Sequence, residues 1–150
     1  MASPSQVPVL PPSSDKRAAE MAHPDARFAL PWLRVEALAV LALTIVLYGR
    51  AGAGWGLFAG LWLLPDLGML GYLAGPKWGA RSYNAVHTYL APAVLALAGL
   101  LLQRAAPLGI ALIWFNHIAF DRVLGYGLKS TRGFGETHLK RLGKRPTGPA

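Results

Sequence analysis

Apolar residues do not alternate along this chain; they come in long runs. The first covers residues 33–48 (LRVEALAVLALTIVLY), with Arg34 and Glu36 only at its start, where long side chains reach an interface. GRAGAG at 49–54 interrupts it. A second run covers residues 55–75, where Gly75-Pro76 stops it, and a third covers residues 78–102. Gln103, Arg104 and Pro107 mark the next turn, and a fourth run covers residues 108–128. Crossing the hydrocarbon core takes about 20 apolar residues, and only helices satisfy their own backbone in lipid. The pattern therefore predicts an all-α integral membrane bundle of four transmembrane helices over residues 31–129. Before it lies an arm, 1–30, rich in Pro, Ser and Ala without periodicity, which reads as disordered and carries no signal-peptide pattern. After it comes a basic tail, 130–150, in which GETHLKRL reads as a short interfacial helix.

Composition agrees: 53% of the residues are hydrophobic and only 15% charged, against about 25% charged in soluble domains. The absence of cysteine removes disulfides, thiolate metal sites and cysteine nucleophiles together. A net charge of +8 suggests nucleic acid until its distribution is considered. Lys16, Arg17, Arg27, Arg34, Lys77, Arg81, Lys129, Arg132, Lys140, Arg141, Lys144 and Arg145 fall on one side of a four-span topology. Arg50 and Arg104 alone fall on the other. That asymmetry predicts a bacterial inner membrane protein with both termini cytoplasmic, its basic tail against anionic lipid headgroups. The lipid bilayer is then the partner, and nucleic acid is not; oligomeric state is not encoded in any pattern here.

Inside the spans, a few polar residues need explaining. At 1.5 Å per residue, Asp66, His87, His117 and Asp121 all lie roughly 10–16 Å from the cytoplasmic boundary. His117 and Asp121 are i and i+4 and share a helix face, as do Asn84 and His87 at i and i+3. Pro65 should kink the second helix beside Asp66, and Gly68, Gly71 and Gly75 should let a neighbouring helix approach closely. Two imidazoles and two carboxylates suit Zn, Mn or Fe as a divalent cofactor, which would activate water against a phosphate or acyl ester. Asn84 and Tyr83 then support the ligands or touch substrate, Arg122 steadies an anion, and His138 either is a surface imidazole beside the tail lysines or folds back to complete a catalytic set. Two other readings stay open. The cluster can be a hydrogen-bond network holding the bundle together, or a proton or cation path in a small transporter, channel or accessory subunit. The five tryptophans read as interfacial anchors or core.

The stretches LLPDLGMLGYLAGPKWGARSYNAVHTYLAP and ALIWFNHIAFDRVLGYGLKSTRGFGETHL resemble a bacterial family of small integral membrane proteins, the domain-of-unknown-function family 4260. The resemblance covers about residues 33–143 and implies a multi-span protein with no assigned activity; it adds weight to His138, within Thr137-His138-Leu139. A fainter likeness is to membrane-bound metal-dependent hydrolases, through Pro65-Asp66, His87 and Thr137-His138. The chain departs from them where Gly68 replaces the second Asp of a Pro-Asp-x-Asp motif, and in lacking an adjacent His-Arg pair before Thr-His.

Overall fold

The computed structural model describes residues 24–131 and 133–137, of which 24–28 and 133–137 are described by backbone alone. Helix α1 (Pro24–Arg50) is followed by α2 (Trp55–Trp62), a 3-10 helix (Leu64–Ala74), α3 (Pro76–Val86), α4 (Leu90–Leu101) and α5 (Ala105–Leu124). A two-stranded hairpin, β1 (Lys129–Ser130) with β2 (Gly133–Thr137), closes the described part. The described residues are all-α apart from that hairpin. Ala29–Arg50, Trp55–Ala74 and Pro76–Leu101 are each long and apolar enough to cross a membrane. The surface fits that medium, with Leu38, Leu43, Val46, Leu97 and Leu100 all exposed.

Helix α5, expected as a fourth span, is not among these three segments, and it is the helix covered by protein. It packs against α1, α4 and α2, and eight of its residues, among them Asn116 and His117, are buried. It can carry Asn116, His117, Asp121 and Arg122 because neighbouring helices, in place of lipid, surround them. Helix α1 starts at Pro24, within the stretch assigned to the arm, with proline at the first helical position where its missing N–H is not needed. It presents Ala37, Thr44 and Tyr48 to the interior, and Tyr48 packs with Leu112 and Ile113 of α5.

The second and third spans are both broken, more deeply than a proline kink. In the second, α2 stops at Trp62 and the chain continues as an eleven-residue 3-10 helix, although such runs rarely exceed about four residues. Its sequence explains the length. A 3-10 helix has three residues per turn, so every third side chain lies on one face. Leu64, Leu67, Leu70 and Leu73 form an exposed stripe, while Pro65, Gly68, Gly71 and Ala74 form a face of small residues. Against the small face lies α3: a Cβ on Gly68 would stand 2.6 Å from Val86 Cγ2 and 3.3 Å from Tyr83 Cα, and one on Gly71 would overlap Ser82 Oγ. Ser82 also donates a hydrogen bond to the Gly68 carbonyl at 2.6 Å. Gly75 differs from the other two glycines in having open space around it; its φ of +103° makes the turn into α3.

In the third span, the expected single helix is interrupted at residues 87–89. The break places Pro92 in the first turn of α4, where it deprives no helical acceptor of its donor. The Val86 carbonyl released by the break accepts a hydrogen bond from the Trp114 indole at 2.7 Å. Trp114 thus has an interior task in addition to its bulk. Trp114→Phe should leave that carbonyl unpaired and cost about 1–3 kcal/mol, read as a lowered Tm of the purified protein.

The tail departs from its expected helix as far as it is described, because Gly135, Glu136 and Thr137 are strand residues. Gly133 and Gly135 disfavour a helix, and a pinned Lys129 offers an edge to pair with: Lys129 opposes Thr137, and Ser130 opposes Gly133. His138 and the rest of the tail, like residues 1–23 of the arm, lie outside the described residues.

Candidate metal centre

The four residues reach the interior from three local structures. Asp66 sits in the first turn of the 3-10 helix, directly after the buried Pro65. His87 caps the C-terminus of α3 at the break, and His117 and Asp121 occupy one face of α5. One donor atom from each lies within 4.8 Å of all the others. The two imidazole Nε2 atoms are 3.2 Å apart. Asp66 Oδ1 is 3.5 Å from each of them. Asp121 Oδ2 is 3.5 Å from His87 Nε2 and 4.0 Å from His117 Nε2. Donors about 2.0–2.1 Å from a tetrahedral ion stand about 3.3–3.4 Å from one another; four of these five distances lie close to that, and the His117–Asp121 pair, at 4.0 Å, is wider.

The hydrogen bonds around the cluster set its chemistry. His87 Nδ1 lies 3.0 Å from the Tyr83 carbonyl, a contact that only an N–H on that nitrogen satisfies. Neutral His87 therefore turns a bare Nε2 lone pair inward, the tautomer a metal ligand needs. His117 Nδ1 is buried with no hydrogen-bond partner among the described residues. If His117 carries its proton on Nε2 to donate to His87, its Nδ1 lone pair is stranded; if on Nδ1, two Nε2 lone pairs face each other. Adding two carboxylates makes this a meeting of acceptors, eased at Asp121 by the Tyr83 hydroxyl and the nearby Lys129 ammonium. A cation among them, or a proton on one imidazole shared with a carboxylate, resolves the conflict.

Aromatic residues hold the imidazoles in place. Tyr83 stacks on His87 with ring centroids 3.7 Å apart, and its hydroxyl donates to Asp121 Oδ2 at 3.1 Å. Trp62 packs edge-on against His117 at 5.1 Å. Its indole donates to Asn116 Oδ1 at 3.0 Å, and the Asn116 amide donates to Thr44 Oγ1 at 2.9 Å and to the Leu41 carbonyl at 3.1 Å. Asn116 so ties the site to α1. Trp62 and Asn116 were not legible as site residues: Trp62 resembles any interfacial tryptophan, and Asn116 signals only by being an amide at membrane depth beside His117.

The remaining candidates fall elsewhere. Asn84 does not touch the four donors. Its side-chain amide accepts from the Lys129 N–H at 2.7 Å and donates to the Lys129 carbonyl at 2.9 Å, imitating a strand edge that fixes β1. Asn84→Ala should free the hairpin, and proteolysis within residues 129–137 should accelerate about thirtyfold, as expected for two lost hydrogen bonds of ~1 kcal/mol each. Arg122 places its guanidinium over the Tyr89 ring at 4.3 Å, and it lines a cavity of about 150 Å3 with Arg34 and Glu36 under α1. Lys129, expected only as a tail charge, is buried, with its ammonium 5.1 Å from the Tyr83 ring centroid. Burial pushes that ammonium below the usual lysine range, and the Asp121 carboxylate acts in the opposite direction.

A cavity of about 370 Å3 borders the cluster, walled by Asp66, His117 and Asp121 together with Lys129, Phe120 and Met69. Fold and cluster together define a helical membrane protein with a His2Asp2 constellation in its interior. The chain belongs to the family described as Domain of unknown function (DUF4260), whose model matches residues 31–142. No curated protein and no solved structure matches the chain.

Proposed function

We propose that this protein is a metal-dependent hydrolase of the bacterial inner membrane, with both termini cytoplasmic and a divalent ion, zinc by geometry, held by Asp66, His87, His117 and Asp121. The observation that carries the reading is the convergence of four acceptor atoms within 4.8 Å of one another, three of whose residues, Asp66, His117 and Asp121, wall a cavity large enough for a ligand. The twelve-to-two distribution of basic residues supports the orientation. When bound, the ion would supply Lewis acidity and, with Asp66 moving off it to leave an open position, would bring a coordinated water's pKa towards neutrality.

The chain's own residues do the rest. Tyr83 fixes the His87 tautomer through its carbonyl and holds Asp121 through its hydroxyl. Asp66, the more exposed of the two carboxylates, faces the cavity and is placed to take a proton from the attacking water. In ester hydrolysis the water oxygen bonds to carbon or phosphorus as the bond to the leaving oxygen breaks. One water proton passes through Asp66 to that leaving oxygen, and the other stays with the new acid.

Elemental analysis and an ester panel test this directly. The detergent-purified protein should hold about one ion per chain, and hydrolysis should stop on chelation and return with zinc. Protein that takes up neither Zn, Mn nor Fe sinks the proposal. The paired helix breaks beside the cluster are also how ion carriers are built. Cation flux in proteoliposomes without hydrolysis would make the ion cargo instead of cofactor.

A further inference from the structure

The cavity beside the cluster has two chemically different ends. Its inner wall carries Asp66, Asp121 and Lys129; Phe120 and Met69 make the middle apolar. Its outer lining includes Leu63, Leu124 and Tyr126, which are 59%, 52% and 40% exposed. These rim residues run from the join between α2 and the 3-10 helix, midway along the second span, to the end of α5, so the mouth opens sideways along the height of the bundle. A water-soluble substrate gains nothing from an entrance framed by exposed leucines.

Charge narrows the class further. A divalent ion would balance the two carboxylates, the imidazoles would be neutral ligands, and Lys129 brings an ammonium to the same wall. Its ammonium lies between Tyr83, at 5.1 Å, and Tyr126, at 5.7 Å, so the charge sits on the cavity side of the cluster. At about 370 Å3 the space takes a small headgroup and the first part of a chain, with the remainder left in the bilayer.

We propose that the site takes a phosphate-bearing lipid, admitted laterally from the bilayer, with its phosphate between the ion and Lys129 and its chain leaving past Leu63 and Leu124. This rests on the metal centre proposed above. The test is equilibrium binding to the zinc-loaded full chain in neutral detergent, with zinc content measured on the same samples. The probes are oleoyl lysophosphatidate, glycerol phosphate as headgroup alone, and monoolein as chain alone. Lysophosphatidate should bind at least about tenfold more tightly than either fragment. Lys129→Gln should weaken it by about tenfold, the cost of one charged contact, with zinc unchanged, and Lys129→Arg should retain it. The Asn84 clamp on residue 129 is to its backbone, so both variants keep it. Equal binding of glycerol phosphate or monoolein, or an indifferent Lys129→Gln, overturns the proposal while the metal reading stands. Lipid binding by protein that takes up no zinc overturns the metal centre instead.

Discussion

His117→Asn protein will lose zinc affinity by more than about 100-fold, because even the partners of metal ligands typically cost 10–100-fold when removed. His117 contributes one of four donors, from a ring clamped between Trp62 and His87. For the wild type, zinc at 100 times its Kd adds about 2.7 kcal/mol of stability, a rise of roughly 5–10 °C in Tm for a chain of this length. The variant should show no such rise, and its Tm should equal that of the chelated wild type or fall slightly below. Tyr83→Phe gives an intermediate case. It keeps the stacking on His87 but drops the hydrogen bond to Asp121, so zinc should weaken by about 10–100-fold without disappearing. If the cluster were a hydrogen-bond network, the result would differ in kind: His117→Asn would destabilise the protein whether or not zinc was present, and zinc would shift neither Tm.

Gly68→Ala is the second large effect, and it reaches the site without touching it. The added methyl meets Val86 Cγ2 at 2.6 Å, the Ser82 carbonyl at 3.2 Å and Tyr83 Cα at 3.3 Å. Two of these three are backbone atoms, so α3 must move away, at about 1–3 kcal/mol for overpacking. Asp66 lies on one side of that contact and His87 on the other, so the donor spacing opens as well. Zinc affinity should fall along with Tm. Leu67→Ala, one residue earlier but on the exposed stripe, should change either by little, about 0.5 kcal/mol at most in stability. Equal behaviour of the two variants in a thermal melt would show that the face of small residues does not set the approach of α3.

Much of this was legible in the chain and some was not, for reasons particular residues make plain. Run lengths alone predict four helices, and counting residues from their ends puts Asp66, His87, His117 and Asp121 at one depth. The structure adds the contact: three elements do bring those side chains within 4.8 Å. What hydropathy could not reveal was how the spans break. Pro65 and Pro92 announce some disturbance, yet a proline in an apolar run is compatible with a mild kink, a change of helix type or a full stop. Choosing between these requires knowing that Trp114 is at hand to take the Val86 carbonyl, and that pairing crosses two spans. One signal was present and overlooked. LPDLGMLGYLA repeats leucine every third residue, a period that would spiral around an α-helix but stays on one side of a 3-10 helix. The tail misled for the opposite reason: GETHLKRL has helical amphipathicity, while its first residues pair with Lys129 because Asn84, far away in sequence, holds that residue still.

The 3-10 helix also changes how far the second span reaches. At about 2.0 Å per residue its eleven residues extend about 22 Å, where the same residues in an α-helix would extend about 16 Å. With α2, nineteen helical residues then stretch over roughly 34 Å, longer than the hydrocarbon thickness of about 30 Å. Rewinding the segment into an α-helix would shorten it by about 5–6 Å and swing the leucine stripe off the lipid, carrying Asp66 out of register with the histidines. Membrane thickness and the integrity of the His2Asp2 cluster are therefore mechanically linked through one short segment, and bilayers of different acyl length will favour different geometries at its far end.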